Sequence, residues 1–298
     1  MGRKKLYAAA TALLLAVGAG TALYAATNIW NRDQIPPEIS VAQQELQLSV
    51  RDPREKLLEG IAAEDDRDGD VSDRMVIESI SGITPEHTAT VTYAAFDSAG
   101  NVAKTTRAVS FTDYTPPRFY QRRALVMPES SSQDVLSYLG ATDVVDGEIG
   151  SRIKGNLVSD TVSLSKSGAH QVEFRVTNSM GDTARLTLPV DVYSEQTYNA
   201  TVNLGAYLVY VPVGSSFSGE GYLGSLEVGS QSYSLRGDEP DTAVFINENV
   251  SGTARHQIRV DMVSDVDTAV PGVYSVTYTV TMDEQYTGFT RLNVIVEE

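Results

Sequence analysis

The chain has no cysteine in 298 residues, which excludes disulfides, thiolate zinc sites and cysteine nucleophiles together. Histidine is nearly as scarce. His87, His170 and His256 lie far apart, no helix carries a histidine pair for zinc, and no Gly-x-Ser-x-Gly elbow occurs, so catalysis is not expected. Basic side chains are also in deficit, 23 against 39 acidic for a net charge of −16. Such a surface repels phosphate backbones and argues against nucleic acid as a partner. Helical periodicity is missing beyond the N-terminus except over Arg54–Ala62 and Gln133–Leu139, each good for a turn or two. Without cysteine staples, every folded part must rest on its own hydrophobic core.

What the chain does have is alternation. Val91, Tyr93 and Ala95 recur as Val172, Phe174 and Val176, and again as Val276, Tyr278 and Val280. At matching distances Val109 is followed by Val190 and Val294, so each repeat closes on an equivalent strand. Fifteen tyrosines against one tryptophan suit half-buried pleated surfaces, where a ring packs inward and its hydroxyl stays wet. Asp33-Gln34-Ile35-Pro36-Pro37 is echoed by Asp113-Tyr114-Thr115-Pro116-Pro117, and a proline pair is a stiff lead-in that cannot join a ladder. These marks divide an all-β chain into three tandem β-sandwich domains over 35–113, 114–192 and 193–298. The third lacks the proline pair and is longer, its extra length holding the strand-like Ala206–Val211 and the hairpin-like Leu226–Leu235.

Leu6 to Ala26 is uncharged and is preceded by Arg3, Lys4 and Lys5. About 20 apolar residues cross a bilayer and basic flanks stay inside. Residues 1–27 are therefore expected to be a signal-anchor or transmembrane helix, crossing through residues 6–26, with a linker over 28–34. The expected location is the cell membrane, single-pass, with the C-terminal domains extracellular and 193–298 outermost. Trp30 is placed for the outer interface. Gly20-Thr21-Ala22 and Leu23-Tyr24-Ala25 offer cleavage sites, and secretion after signal cleavage is the alternative.

Several phrases then resemble a known family. Asp68-Gly69-Asp70-Val71, the hairpin Val91 to Asn101, and the exit Asp113-Tyr114-Thr115-Pro116-Pro117 are similar to bacterial surface immunoglobulin-like repeats, related in pattern to hyalin-type and cadherin-like modules. The second repeat keeps Asp146-Gly147-Glu148-Ile149 and Asn178-Ser179-Met180-Gly181-Asp182; the third keeps Val266-Asp267-Thr268 and Pro271 to Tyr278. The resemblance implies immunoglobulin-like sandwiches used as spacer, stalk or adhesive arm. Gly100-Asn101 and Gly181-Asp182 tolerate the positive φ of tight hairpin turns.

Chemistry is best sought in the acidic knot Glu64, Asp65, Asp66, Asp68, Asp70 and Asp73. Closely spaced oxygen ligands in a loop suit calcium, although Val71 stands where an EF-hand loop needs glycine. In cadherin-like modules calcium sits where a loop meets the linker. By that resemblance Asp97 and Asp113 join Asp66, Asp68 and Asp70 as candidate calcium ligands; a solvated acidic loop is the alternative. The second repeat retains fewer acids, Asp143, Asp146 and Glu148. No cofactor is expected unless calcium is held in the first repeat. Gly219-Glu220-Gly221-Tyr222-Leu223-Gly224 matches the dinucleotide pattern in letters, but a strand rather than a helix follows. Arg236-Gly237-Asp238 matches the integrin-recognition tripeptide, for which chance is the simpler account. The expected function is that of a non-catalytic surface stalk whose distal domain meets a cell-surface protein or glycan; Tyr207, Tyr210, Tyr222 and Tyr233 are candidate contacts, for which cross-strand packing is the simpler account. A pure spacer, an accessory subunit of a membrane or cell-wall assembly, and a carbohydrate-binding module are the alternatives.

Overall fold

A computed structural model of the chain describes residues 14–23, 33–84, 86–129, 131, 134–157, 166–194, 196–250 and 252–298. The expected membrane location is corrected by the first of these segments. Helix is confined to residues 14–23 in the N-terminal region described, and at 1.5 Å per residue it reaches about 15 Å, half of a hydrocarbon core of about 30 Å. Among the described residues no helix is long and apolar enough to cross a membrane. The hydropathy of the run is that of a span, but ten described helical residues are half of the about 20 that a crossing needs. Trp30 and the rest of the predicted span lie outside the described residues.

The remainder is built from mostly antiparallel ladders, with four parallel pairs among the described residues, and it separates into two compact units, residues 1–113 and Tyr114–Glu298. In the first unit Glu38–Val41, Ile61–Asp65 and Gly69–Asp70 make one sheet. Glu45–Leu48, Val102–Phe111, Thr88–Phe96 and Val76–Ile80 make the other, and its first strand pairs in parallel with Val102–Phe111. A chain that starts in one sheet and crosses to the other clamps the two together. Their inner faces enclose Leu57, Ile61, Ala63, Val71, Val91, Tyr93, Ala95 and Val109.

The second unit repeats this plan twice. Arg118–Gln121, Leu139–Asp143 and Gly147–Glu148 face Val126–Pro128, Thr183–Tyr193, Gly168–Thr177 and Lys154–Leu157. Farther on, Thr201–Leu204, Leu223–Val228 and Gln231–Ser234 form a three-stranded sheet beside five strands in the order Leu208–Pro212, Tyr286–Glu297, Gly272–Met282, His256–Ser264, Thr242–Ile246. The recurring apolar triplets are core residues everywhere: Tyr93, Phe174 and Tyr278 are fully buried, and so are Val109, Val190 and Val294. Period-2 alternation has only one way to fold with an apolar face inside, and that sets the register.

Arg54–Leu58 and Val135–Tyr138 are short 3-10 turns within the two stretches where helical periodicity was read; Gln133 lies outside the described residues. Gly100 and Gly181 turn their hairpins at φ 88° and 83°. The literal dinucleotide pattern forms a 3-10 turn at Gly219–Tyr222 followed by the strand Leu223–Val228. Its first glycine is needed for packing, because a Cβ there would meet Met262 Sδ at 2.9 Å and Tyr278 OH at 3.0 Å.

Within the second unit the two sheet pairs are locked to each other. Arg291 holds Asp191 through two bonds, Nε to Oδ2 at 2.7 Å and Nη2 to Oδ1 at 2.8 Å, with both side chains largely buried. Asn293 Nδ2 donates to Gln121 Oε1 at 2.9 Å in a buried setting, and Tyr210 OH donates to the Phe119 carbonyl at 3.0 Å. Leu208, Tyr210 and Ile295 pack into the core around Phe119, Phe174 and Leu188. The core around Phe119, Phe174 and Leu188 therefore extends into this contact, beside the separate core around Tyr278 and Val294.

Candidate functional site

Each of the first two repeats folds its Asp-x-x-Asp-Gly segment into the same hydrogen-bonded turn. In the first unit Asp65 ends the strand Ile61–Asp65, and its Oδ1 accepts the amides of Arg67 and Asp68 at 3.0 and 2.9 Å. Gly69, at φ 71°, lets the chain double back. Asp68 then reaches across to the hairpin, where Ser98 donates its amide at 2.5 Å and its hydroxyl at 2.8 Å, and Arg74 adds a third bond at 2.9 Å. These donors, the Ser98 amide first, hold its carboxyl below the usual range. Asp143, Asp146, Gly147, Ser179 and Arg152 repeat every part of this latch.

The candidate calcium ligands are thus only partly gathered. Asp66 lies with Asp33 and Asp65, each offering an oxygen within 4.8 Å of the others. Asp68 is spent on the latch. Asp70 caps the turn after it through the Ser72 amide at 2.9 Å. Asp97 closes its own hairpin by accepting Asn101 N at 2.7 Å and Nδ2 at 2.6 Å, and the same Nδ2 reaches the Ile35 carbonyl at 3.3 Å. Asp113 is bonded by Ser49 Oγ at 2.7 Å and Val50 N at 2.9 Å. Reading the segment alone overlooked Asp33 and undervalued Asp65. The first stands before the proline pair, and the alternation that buries Ile61 and Ala63 buries Asp65 too.

The second repeat fills the corresponding space differently. Asn178 Nδ2 donates to Asp143 Oδ2 at 3.1 Å and to Tyr114 OH at 2.9 Å, and Tyr114 donates to Asp182 Oδ2 at 2.6 Å. Burial first, and the Asp182 carboxylate second, push the Tyr114 phenol well above its ordinary value. Here every carboxylate oxygen facing inward has a donor.

At the other end of the chain the four tyrosines suggested as contacts divide. Tyr210 and Tyr207 are packing residues, with burial raising both phenols, and Tyr222 stacks on Phe217 with centroids 5.9 Å apart. Tyr233, packed against the same core as Tyr207 and Tyr222, also faces a recess. It meets His256 edge to face at 5.1 Å, and with Gln231, Glu239, Asp241 and Arg255 it lines a shallow depression of about 600 Å³. A second depression of about 720 Å³, also lined by Arg255, holds Asn249, Gln257, Arg259 and Asp283. His256 Nδ1 lies 2.8 Å from Asp283 Oδ2, so one histidine and one arginine sit on the ridge between them. Arg236 and Asp238 of the integrin-like tripeptide are exposed, but Arg236 Nε leans back on the Leu223 carbonyl at 3.4 Å.

No protein-family model and no curated protein matches this chain. Among solved structures, CBM51-2 in complex with GlcNAc and INT domains from Clostridium perfringens ZmpB aligns with 52% of this chain and 41% of its own length, at 18% identity and a TM-score of 0.22. The extracellular domain of protocadherin gammaB4 aligns with 88% of this chain and 49% of its own length, at 10% identity and a TM-score of 0.20. The chain spans less than half of both proteins. A lipoprotein from Bacteroides thetaiotaomicron is covered over 98% of its length by 86% of this chain, at 12% identity and a TM-score of 0.20.

Proposed function

We propose that this is a non-catalytic arm of three immunoglobulin-like sandwiches that presents its last sheet pair to an extracellular protein or glycan. The observation that carries the reading is the paired recess around Arg255 and His256, where an aromatic face and amide, carboxylate and guanidinium groups converge on open surface. Shallow polar ground with one aromatic platform suits a hydroxyl-rich or peptide ligand better than a reacting one. Its imidazole is already engaged by Asp283, and of the two hydroxyls that line it, Ser232 and Thr242, the second is turned to Glu239. The locked contact within Tyr114–Glu298 adds the mechanical half of the role, because a stiff arm keeps a binding face in a defined place.

Glycan-array and cell-surface binding of the full chain, beside Tyr233→Ala and Arg255→Ala, test this reading. A ligand class bound by the parent and weakened about tenfold or more by either change supports presentation, as expected for removal of an interface anchor. Binding that both variants retain would sink it. Absence of any binding would leave the spacer reading, which the stiff contact through Arg291 and Asn293 favours by itself.

A further inference from the structure

Asp65 is 4% exposed, and its Oδ2 has no hydrogen-bond partner among the described residues. A buried carboxylate oxygen without a donor is rare in a folded protein and asks for a ligand. Asp33, 8% exposed, and Asp66 each bring a carboxylate oxygen within 4.8 Å of one from Asp65 and of one another. From this juxtaposition we infer that Asp33, Asp65 and Asp66 form a calcium site in the first unit, with Asp65 Oδ2 as its buried ligand. Oxygens at about 2.3–2.6 Å from one calcium ion lie no more than about 5 Å apart, which is the spacing here. Of their six oxygens Asp65 Oδ1 and Asp33 Oδ1 already accept backbone amides; four remain, and water would complete the six to eight that calcium takes. Arg67 stands with its Nε 3.6 Å from Asp33 Oδ2, and Asp65 Oδ2 is left without a donor among the described residues.

The chain carries its own control. The second repeat keeps the buried aspartate as Asp143 but replaces two acids: Val144 stands where Asp66 does, and Asn178 where Asp97 does. Asn178 then gives Asp143 Oδ2 the proton donor that Asp65 Oδ2 lacks. An aspartate at position 97 has no hydrogen to give. Loss of the acids and gain of the amide go together, so the two repeats solve one electrostatic problem in two ways, with a cation in the first and a hydrogen bond in the second.

The test is isothermal titration of calcium chloride into chelator-treated full-length chain, with thermal unfolding alongside. One ion per chain is expected, with a dissociation constant on the order of 10⁻⁴ to 10⁻³ M as for extracellular modules. A rise of about 5 °C is expected at roughly tenfold excess. Asp65→Asn should abolish both. Because that change sits in a core, the double variant Asp66→Val with Asp97→Asn is the second arm; it imports the arrangement of the second repeat, and it should fold with the parent's melting temperature in chelator and gain nothing from calcium. Magnesium should give under a tenth of the calcium affinity, since it demands near-octahedral geometry. No heat and no thermal shift at millimolar calcium, or full calcium response in the double variant, would overturn the inference.

Discussion

At the scale of single residues, the groups that decide stability are polar ones placed where the alternation predicts core. Arg107 stands in an alternating strand at a position shared with apolar neighbours, and it is the largest fully buried side chain. It donates to the carbonyls of Leu57 and Glu59 and, at 3.1 Å, to Tyr93 OH, stitching the loop that holds Arg54–Leu58 against the core. Arg107→Met should cost about 2–4 kcal/mol in urea unfolding, because two buried carbonyls lose charged donors. No pattern of hydrophobicity reveals such a residue. The paired aspartates Asp68 and Asp146 make a second prediction. Hydrogen bonds from Ser98 and Ser179 hold both carboxyls below the ordinary aspartate value. A depressed folded-state pKa means the unfolded chain binds the proton more readily, so this stabilisation is complete above about pH 4 and fades as pH falls through the lower folded value. Acid melts of Asp68→Asn and Asp146→Asn should therefore show a shallower loss of stability below about pH 4 than the parent.

At the scale of elements, the strands were legible and the places where they bend were not. Alternation announced Thr88–Phe96, Gly168–Thr177 and Gly272–Met282, because only one face of a pleated strand meets the core. The strand expected at Ala206–Val211 begins two residues later, at Leu208, since Tyr207 gives its carbonyl to the Asn293 amide and turns the chain into place. The pairing of Thr201–Leu204 with Leu223–Val228 slips at Asn203 and Leu204, and Gly224 is the residue that permits it. A Cβ at Gly224 would stand 2.6 Å from the Asn203 carbonyl oxygen. Gly224→Ala is expected to cost roughly 1–3 kcal/mol, measured by chemical unfolding, because backbone rather than a pliable side chain must yield. Nothing in the local sequence distinguishes this glycine from the turn glycines around it.

At the scale of the whole molecule, the second unit should unfold as one body. Arg291→Met removes one partner of a bidentate, largely buried pair and strands Asp191, a loss of about 3–5 kcal/mol. In differential scanning calorimetry the single transition of Tyr114–Glu298 is expected to split in two, one per sheet pair; a lowered but undivided transition would show that the shared apolar contact suffices. The sequence by itself determined the all-β class, the core triplets and the hairpins, because each depends on a period of two or on a turn between neighbours. The same hydropathy suggested a membrane span that a helix at residues 14–23 does not provide. Tertiary structure alone decided which acids share a space, why Asp65 is left without a donor while Asp143 is not, and that the last two sheet pairs are fastened through Arg291 and Asn293. Those contacts join residues 32 to 172 positions apart, Asp33 with Asp65 at one extreme and Gln121 with Asn293 at the other. Period and turn chemistry act only between neighbours; such pairs are chosen by the geometry of packed sheets.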